Sequence, residues 1–192
     1  LDLGDNAVED DLVHIIYTEN MTVRDVTIAG AMADAIDVDI SSVTFEGGSI
    51  IDSGNDAIDL MSSNASIRGI YLGSNGDKGI SVGEASTVSV RDVQFRSNVI
   101  AIQSKDGSNA EIRNSQFIGN RTQLSAYQKN WRYRGGGRIT VRESKFEAYA
   151  RDNEFSADPV SEIRIFDSTI HGEATVEGRI LKDGQLLPVS RK

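Results

Sequence analysis

The chain has 192 residues, 39% of them hydrophobic and 26% charged, with 18 Gly, 2 Pro and no Cys. This composition suits one domain or one elongated array; it excludes disulfides and thiolate metal sites, and no apolar run approaches the length of a membrane span. The net charge of −9 argues against a nucleic-acid partner, because neutralising phosphates takes clustered Lys and Arg.

The first segment, "LDLGDNAVEDDL", carries neither Met nor a signal-like stretch. Its leucines, Leu1, Leu3 and Leu12, do not make the polar cap that a terminal repeat needs. The segment is therefore expected to be an incomplete coil of a processed or excised piece, with missing upstream sequence of the same chain covering its open edge.

Beyond it the chain repeats. Ile36, Ile58, Ile80 and Ile102 recur every 22 residues. A second column runs Val23, Phe45, Ile67, Val90, Ile112, Val141, Ile165, and a third runs Ile28, Ile50, Leu72, Phe95, Phe117, Phe146, Ile170. Around each position apolar and polar residues alternate, as in "VSV" and "IRI", which is the period of a short strand. Many Val and Ile, few Leu and frequent Gly favour strands and turns. Three short strands in each repeat of about 22 residues predict an all-β solenoid, a right-handed parallel β-helix of about seven coils. Residues 1–172 are assigned to it and residues 173–192 to a C-terminal hairpin or tail.

In a stack of coils, residues one period apart become neighbours at about 4.8 Å. Asp34 should then lie beside Asp56, and Asp56 beside Lys78; Asp37 beside Asp59, then Ser81, then Gln103. Inward Ile36 and Ile58 force Asp37 and Asp59 outward. Asp34, Asp37, Asp56 and Asp59 are expected to form one solvent-open cluster. Like charges on adjacent strands repel, so a cation, a shared proton, or Lys78 and Lys105 must offset them. Asp37 and Asp59 are the candidate metal ligands, with calcium as the ion. For Asp34 and Asp56, just before their strands, a turn-capping role competes with a catalytic one. His14 and His171 are assigned no role.

The stretches that carry these residues are "MADAIDV" (32–38), "GNDAIDL" (54–60), "GDKGISVGE" (76–84) and "AIQSKDG" (101–107). They resemble the catalytic coils of the polygalacturonase-type glycoside hydrolases, within the pectin lyase-like superfamily of right-handed parallel β-helices. That family carries N-T-D, G-D-D, G-H-G and R-I-K on successive coils. Asp34 falls on the Asp of the first motif, Asn55 and Asp56 on the pair of the second, Lys78 on the His of the third and Lys105 on the Lys of the fourth. Glu84 closes the third stretch. Two positions depart: Asn55 stands where the family has its proton donor, and Gln103 where it has Arg. The resemblance implies a polysaccharide ligand, acidic or neutral, and an extracytoplasmic setting. The catalytic candidates are Asp34, Asp37, Asp56, Asp59, Lys78 and Lys105, for a hydrolase, lyase or epimerase. Without the acid at Asn55, a non-catalytic polysaccharide-interacting domain of a larger surface protein is the leading reading.

Two regions lengthen the period. "AYQKNWRYRGGGR" (126–138) places Tyr127, Trp131 and Tyr133 among Lys129, Arg132 and Arg134; aromatic faces beside cations suit acidic sugars. "RDNEFSADP" (151–159) is expected to be a second loop. Arg68, Arg91 and Arg113 form a corner column that reads as structural. The tail predicts a hairpin around Lys182, Asp183 and Gly184, covering the last coil.

Overall fold

Each coil alternates inward β-branched or aromatic residues with outward polar ones, and each finds its hydrogen-bond partners in the coils above and below. The computed structural model describes residues 2–4, 10–149 and 152–190, and no helix occurs among them. The first face is an eight-stranded sheet of β2 (Val13–Ile16), β4 (Ile36–Asp39), β6 (Ile58–Met61), β8 (Lys78–Gly83), β11 (Ile100–Lys105), β14 (Thr122–Tyr127), β17 (Asn153–Ala157) and β20 (Ala174–Glu177) in that order.

Three long strands, β3 (Met21–Ala29), β5 (Ser42–Ile51) and β7 (Asn64–Gly73), run from the second face round a corner onto the third. After β7 the two faces separate, because its first half pairs β9 (Thr87–Arg91) and its second half pairs β10 (Gln94–Arg96). The second face continues through β12 (Asn109–Arg113), β15 (Arg138–Arg142), β18 (Glu162–Phe166) and β21 (Ile180–Lys182). The third continues through β13 (Gln116–Ile118), β16 (Lys145–Glu147) and β19 (Thr169–His171). Asp92, Asn114, Glu143 and Asp167 take up positive φ at successive levels of the corner between them. Asp and Asn tolerate that region best among side-chain-bearing residues.

All three apolar columns read from the sequence are in register. Ile36, Ile58, Ile80 and Ile102 pair in turn. So do Val23 to Ile165 and Ile28 to Ile170. Down the third column Phe95, Phe117 and Phe146 stack at centroid distances of 4.9 and 4.5 Å, and Phe155 meets Phe146 edge-on at 5.2 Å. Such ring pairs contribute about 0.5–1.5 kcal/mol each beyond their burial.

Polar columns close the turns. Ser41, Ser63, Ser86 and Ser108 each accept the backbone N–H of their counterpart one coil before, at 2.9–3.1 Å. Asn75, Asn98 and Asn120 do the same inside the opposite corner, and their amides bond to one another. These buried amides also donate to strand carbonyls of the third face, such as Leu72 O at 3.0 Å.

Four regions differ from the sequence-based expectation or refine it. Within "RDNEFSADP", expected to be a loop, Asn153–Ala157 form strand β17, and Arg151 lies outside the described residues. The parallel ladder also runs beyond residue 172, because β20 pairs β17 and β21 pairs β18. The hairpin is present: β22 (Gln185–Leu186) returns antiparallel to β21 through Asp183 and Gly184, both at positive φ. Leu187 then packs against the core and Ser190 bonds Val176. In the first segment β1 (Asp2–Gly4) pairs β3 and Leu3 packs on the core, while Leu1 lies outside the described residues.

Candidate functional site

The outward positions of the first face form one register column: His14, Asp37, Asp59, Ser81, Gln103, Ser125, Ser156, Glu177. Every member carries a hydrogen-bonding group. Strand alternation turns all of them to the same side, with Val38, Leu60 and Val82 inside.

At the start of this column four aspartates lie on adjacent coils, as the 22-residue step requires, but they are not equally open. Asp56 is 2% exposed and Asp34 9%, so only Asp37 and Asp59 meet solvent appreciably. Asp34 Oδ1 accepts the Asn55 amide and the Asp56 backbone N–H, each at 2.7 Å. Asp56 Oδ1 accepts the Lys78 backbone N–H at 2.9 Å, and Lys78 Nζ lies 3.2 Å away. Lys78 also pairs with Asp77. Asp34 and Asp56 thus each secure the start of the next coil's strand, and Lys78 is occupied by two carboxylates. Asn55 is exposed and spends its amide on Asp34.

Burial pushes the Asp56 carboxyl up to about 7; the Lys78 ammonium pulls it back, and Asp34 and Asp59 push it further. Burial likewise raises Asp34. Asp37 is pushed up to about 6, first by burial, then by Asp39 and Asp59, with His14 acting the other way. Charge that close on neighbouring strands favours keeping a proton.

His14, given no role from the sequence, lies at the head of this column. Its Nε2 is 3.1 Å from Asp39 Oδ2 and 3.6 Å from Asp37 Oδ2. The expected metal pair, Asp37 and Asp59, lies side by side in register, and each also has a set of ligand-type neighbours of its own. Asp37 groups with His14 and Asp39, and Asp59 with Asp34 and Asp56, each set having its oxygen or nitrogen atoms within 4.8 Å. Extending the column one step towards the N-terminus would have found His14, but that first step is 23 residues rather than 22.

Lys105 is 6% exposed. Its side chain folds back over Gly83 to place Nζ 3.1 Å from Ser81 Oγ. A Cβ on Gly83 would stand 2.4 Å from Lys105 Cε, so glycine is what makes room for this path. Glu84, raised by burial and pulled down by Lys105, borders the same spot. On either side of Ser81 in the column, two buried acceptors have no hydrogen-bond partner: Asp59 Oδ1 and Gln103 Oε1. Towards the other end, a cavity of about 490 Å³ lies between Tyr127, Ser156, Asp158 and Glu177.

The inserted loop, residues 128–137, leaves this face at Tyr127. Asp106, fully buried, anchors it by accepting the backbone N–H groups of Lys129 and Asn130, both at 2.7 Å. Trp131 does not pack on the wall: it is 83% exposed, with the Arg132 guanidinium 5.9 Å from its ring centre. Lys129, Arg132 and Arg134 are exposed and Tyr133 is half-buried. Asp106 was not singled out from the sequence; its signal was a lone Asp-Gly turn after Lys105.

No curated protein matches the chain. The model of the right handed beta helix region matches residues 11–158, the span that holds the first-face column from His14 to Ser156 and the inserted loop. With the parallel ladders and the three stacked columns, this establishes that the chain belongs to the right-handed beta helix family.

Proposed function

We propose that the first face is a polysaccharide-binding groove of an extracytoplasmic protein. One observation carries this reading: Asp59 Oδ1 and Gln103 Oε1 are shielded from water yet unpartnered, on either side of Ser81 in a row of polar side chains. A buried acceptor without a donor costs free energy, and the hydroxyls of a sugar supply donors along a line. The exposed Trp131 and its neighbouring cations belong to the loop that leaves this face at Tyr127, and an exposed indole ring can stack on a pyranose face. The resemblance of residues 32–107 to polygalacturonase-type coils supports the same face.

The test is calorimetric titration with polygalacturonate, alginate and a neutral β-glucan. At least one should bind, and Asp59→Asn and Gln103→Ala should each weaken it by about 5–10-fold, as expected for losing a hydrogen bond to a partly shielded group. If none of the three binds, or if both variants bind like the parent, the groove reading is wrong.

A second reading has its own observation. Asp37, with a carboxyl pushed to about 6, sits beside Asp59 on the next coil. Paired carboxyls, one of them raised so that it holds a proton more readily, are what glycoside hydrolysis uses. Release of reducing ends from a bound polysaccharide, abolished in Asp37→Asn, would convert the binding groove into an active site. Binding without release would leave it a binding module.

A further inference from the structure

A second groove lies on a different wall of the solenoid. The outward corner column of the second face runs Arg24, Glu46, Arg68, Arg91, Arg113, Arg142, Phe166 in register. Its two parts are built differently. In the first part Glu46 stands between two arginines and pairs with both, at 2.9 Å to Arg24 and 2.8 Å to Arg68. From Arg91 onward no carboxylate interrupts the column, and three guanidinium groups follow one another at the ~4.8 Å strand spacing.

Like charges in register repel, and these three receive little compensation. Arg91 lies 3.5 Å from Asp92 and Arg113 3.9 Å from Glu143, neither within hydrogen-bond reach of an oxygen. Arg142 has no ion pair among the described residues. Its guanidinium lies over the Phe166 ring at 4.3 Å, and its N–H groups make no hydrogen bond among the described residues. Beside this column a cavity of about 450 Å³ is lined by Arg91, Arg113, Arg142, Arg164, Glu111 and Thr140, among others. Arg164 is paired with Glu162 at 3.0 Å, and Glu111 is the carboxylate inside the groove.

The geometry points to a binding site for a sulfated polysaccharide along Arg91, Arg113 and Arg142. Planar guanidinium forks match oxyanions in two-point contacts. The site presents one fork about every pyranose length, with Thr140 and Glu111 beside it for hydroxyls. The net charge of −9 restricts the attraction to this strip, which favours a single narrow chain over a wide duplex. The site shares no residue with the first-face groove, and its test does not depend on that reading.

The experiment is titration of the intact chain with dextran sulfate, dextran and a single-stranded oligothymidylate at low and physiological salt. Dextran sulfate should bind, more weakly as salt rises, and neutral dextran should not. Arg113→Gln/Arg142→Gln should weaken dextran sulfate binding by about 10-fold or more, with an unchanged far-UV spectrum showing that the variant is folded. The control Arg24→Gln/Arg68→Gln, which removes as much charge from the neutralised part of the same column, should stay within about 2-fold of the parent. Equal losses in both double variants would show diffuse surface attraction and overturn the site. Oligothymidylate binding as tight as that of dextran sulfate would overturn the ligand class.

Discussion

Asp37 concentrates the electrostatics of the first face in one residue. Its folded-state carboxyl titrates at about 6 against an ordinary 3.8, because burial, Asp39 and Asp59 all favour the proton. A carboxyl raised in this way binds its proton more tightly in the folded chain, so its contribution to stability is full below about 4 and is lost as pH rises through 6. Thermal unfolding followed from pH 5 to pH 8 should show a falling midpoint. Asp37→Asn should flatten that fall and gain on the order of 1 kcal/mol at pH 8; an unchanged pH slope in the variant would rule out this account. The double change Asp37→Asn/Asp59→Asn should stabilise the free protein and weaken polysaccharide or calcium binding together. Asn98 makes the opposite kind of prediction. Its side chain accepts from Asn75 and donates to Leu72 O and Asn120, so Asn98→Ala strands several buried groups. It should cost about 2–4 kcal/mol in urea unfolding.

Loops and strands differ in how far they could be read in advance. The strand columns were legible because every coil offers the same inward positions, so a fixed step exposes them. The adjacency of Asp34, Asp56 and Lys78 followed from the same step, and the structure has it. What the step does not contain is side-chain direction along the stack. Lys105 reaching back over Gly83, and Lys78 lying across Asp56, close parts of the face that the period alone leaves open. The loop "RDNEFSADP" was misplaced for a related reason: its inward residues Phe155 and Ala157 were hidden by a step that had already been lengthened. At this scale Asp106 is the testable residue. It is the anchor of loop 128–137, so Asp106→Ala should speed tryptic cleavage at Lys129, Arg132 and Arg134 severalfold without altering the far-UV spectrum. Unchanged cleavage would mean that the loop is held by other contacts, such as Gly137, whose absent Cβ would stand 1.8 Å from Ser104 O.

Across the molecule each coil touches only its neighbours, so stability is a sum of coils and their interfaces. Phe117 sits between Phe95 and Phe146 in the middle of the stack. Phe117→Ala should cost about 3–5 kcal/mol and should lower hydrogen-exchange protection in the coils on either side more than at β2 or β21. The serine and asparagine columns make successive coils interchangeable at their turns. Removal of residues 86–107 would bring Ser108 under Ser63 and Asn120 under Asn75, each meeting the partner type it has now. The shortened chain should fold with the same strand signature. It would also lose one outward rung from each wall, Gln103 from one and Arg91 from the other. Length in this molecule is therefore quantised. It is a ruler whose graduations are coils, and any extended chain lying along it is measured in whole steps.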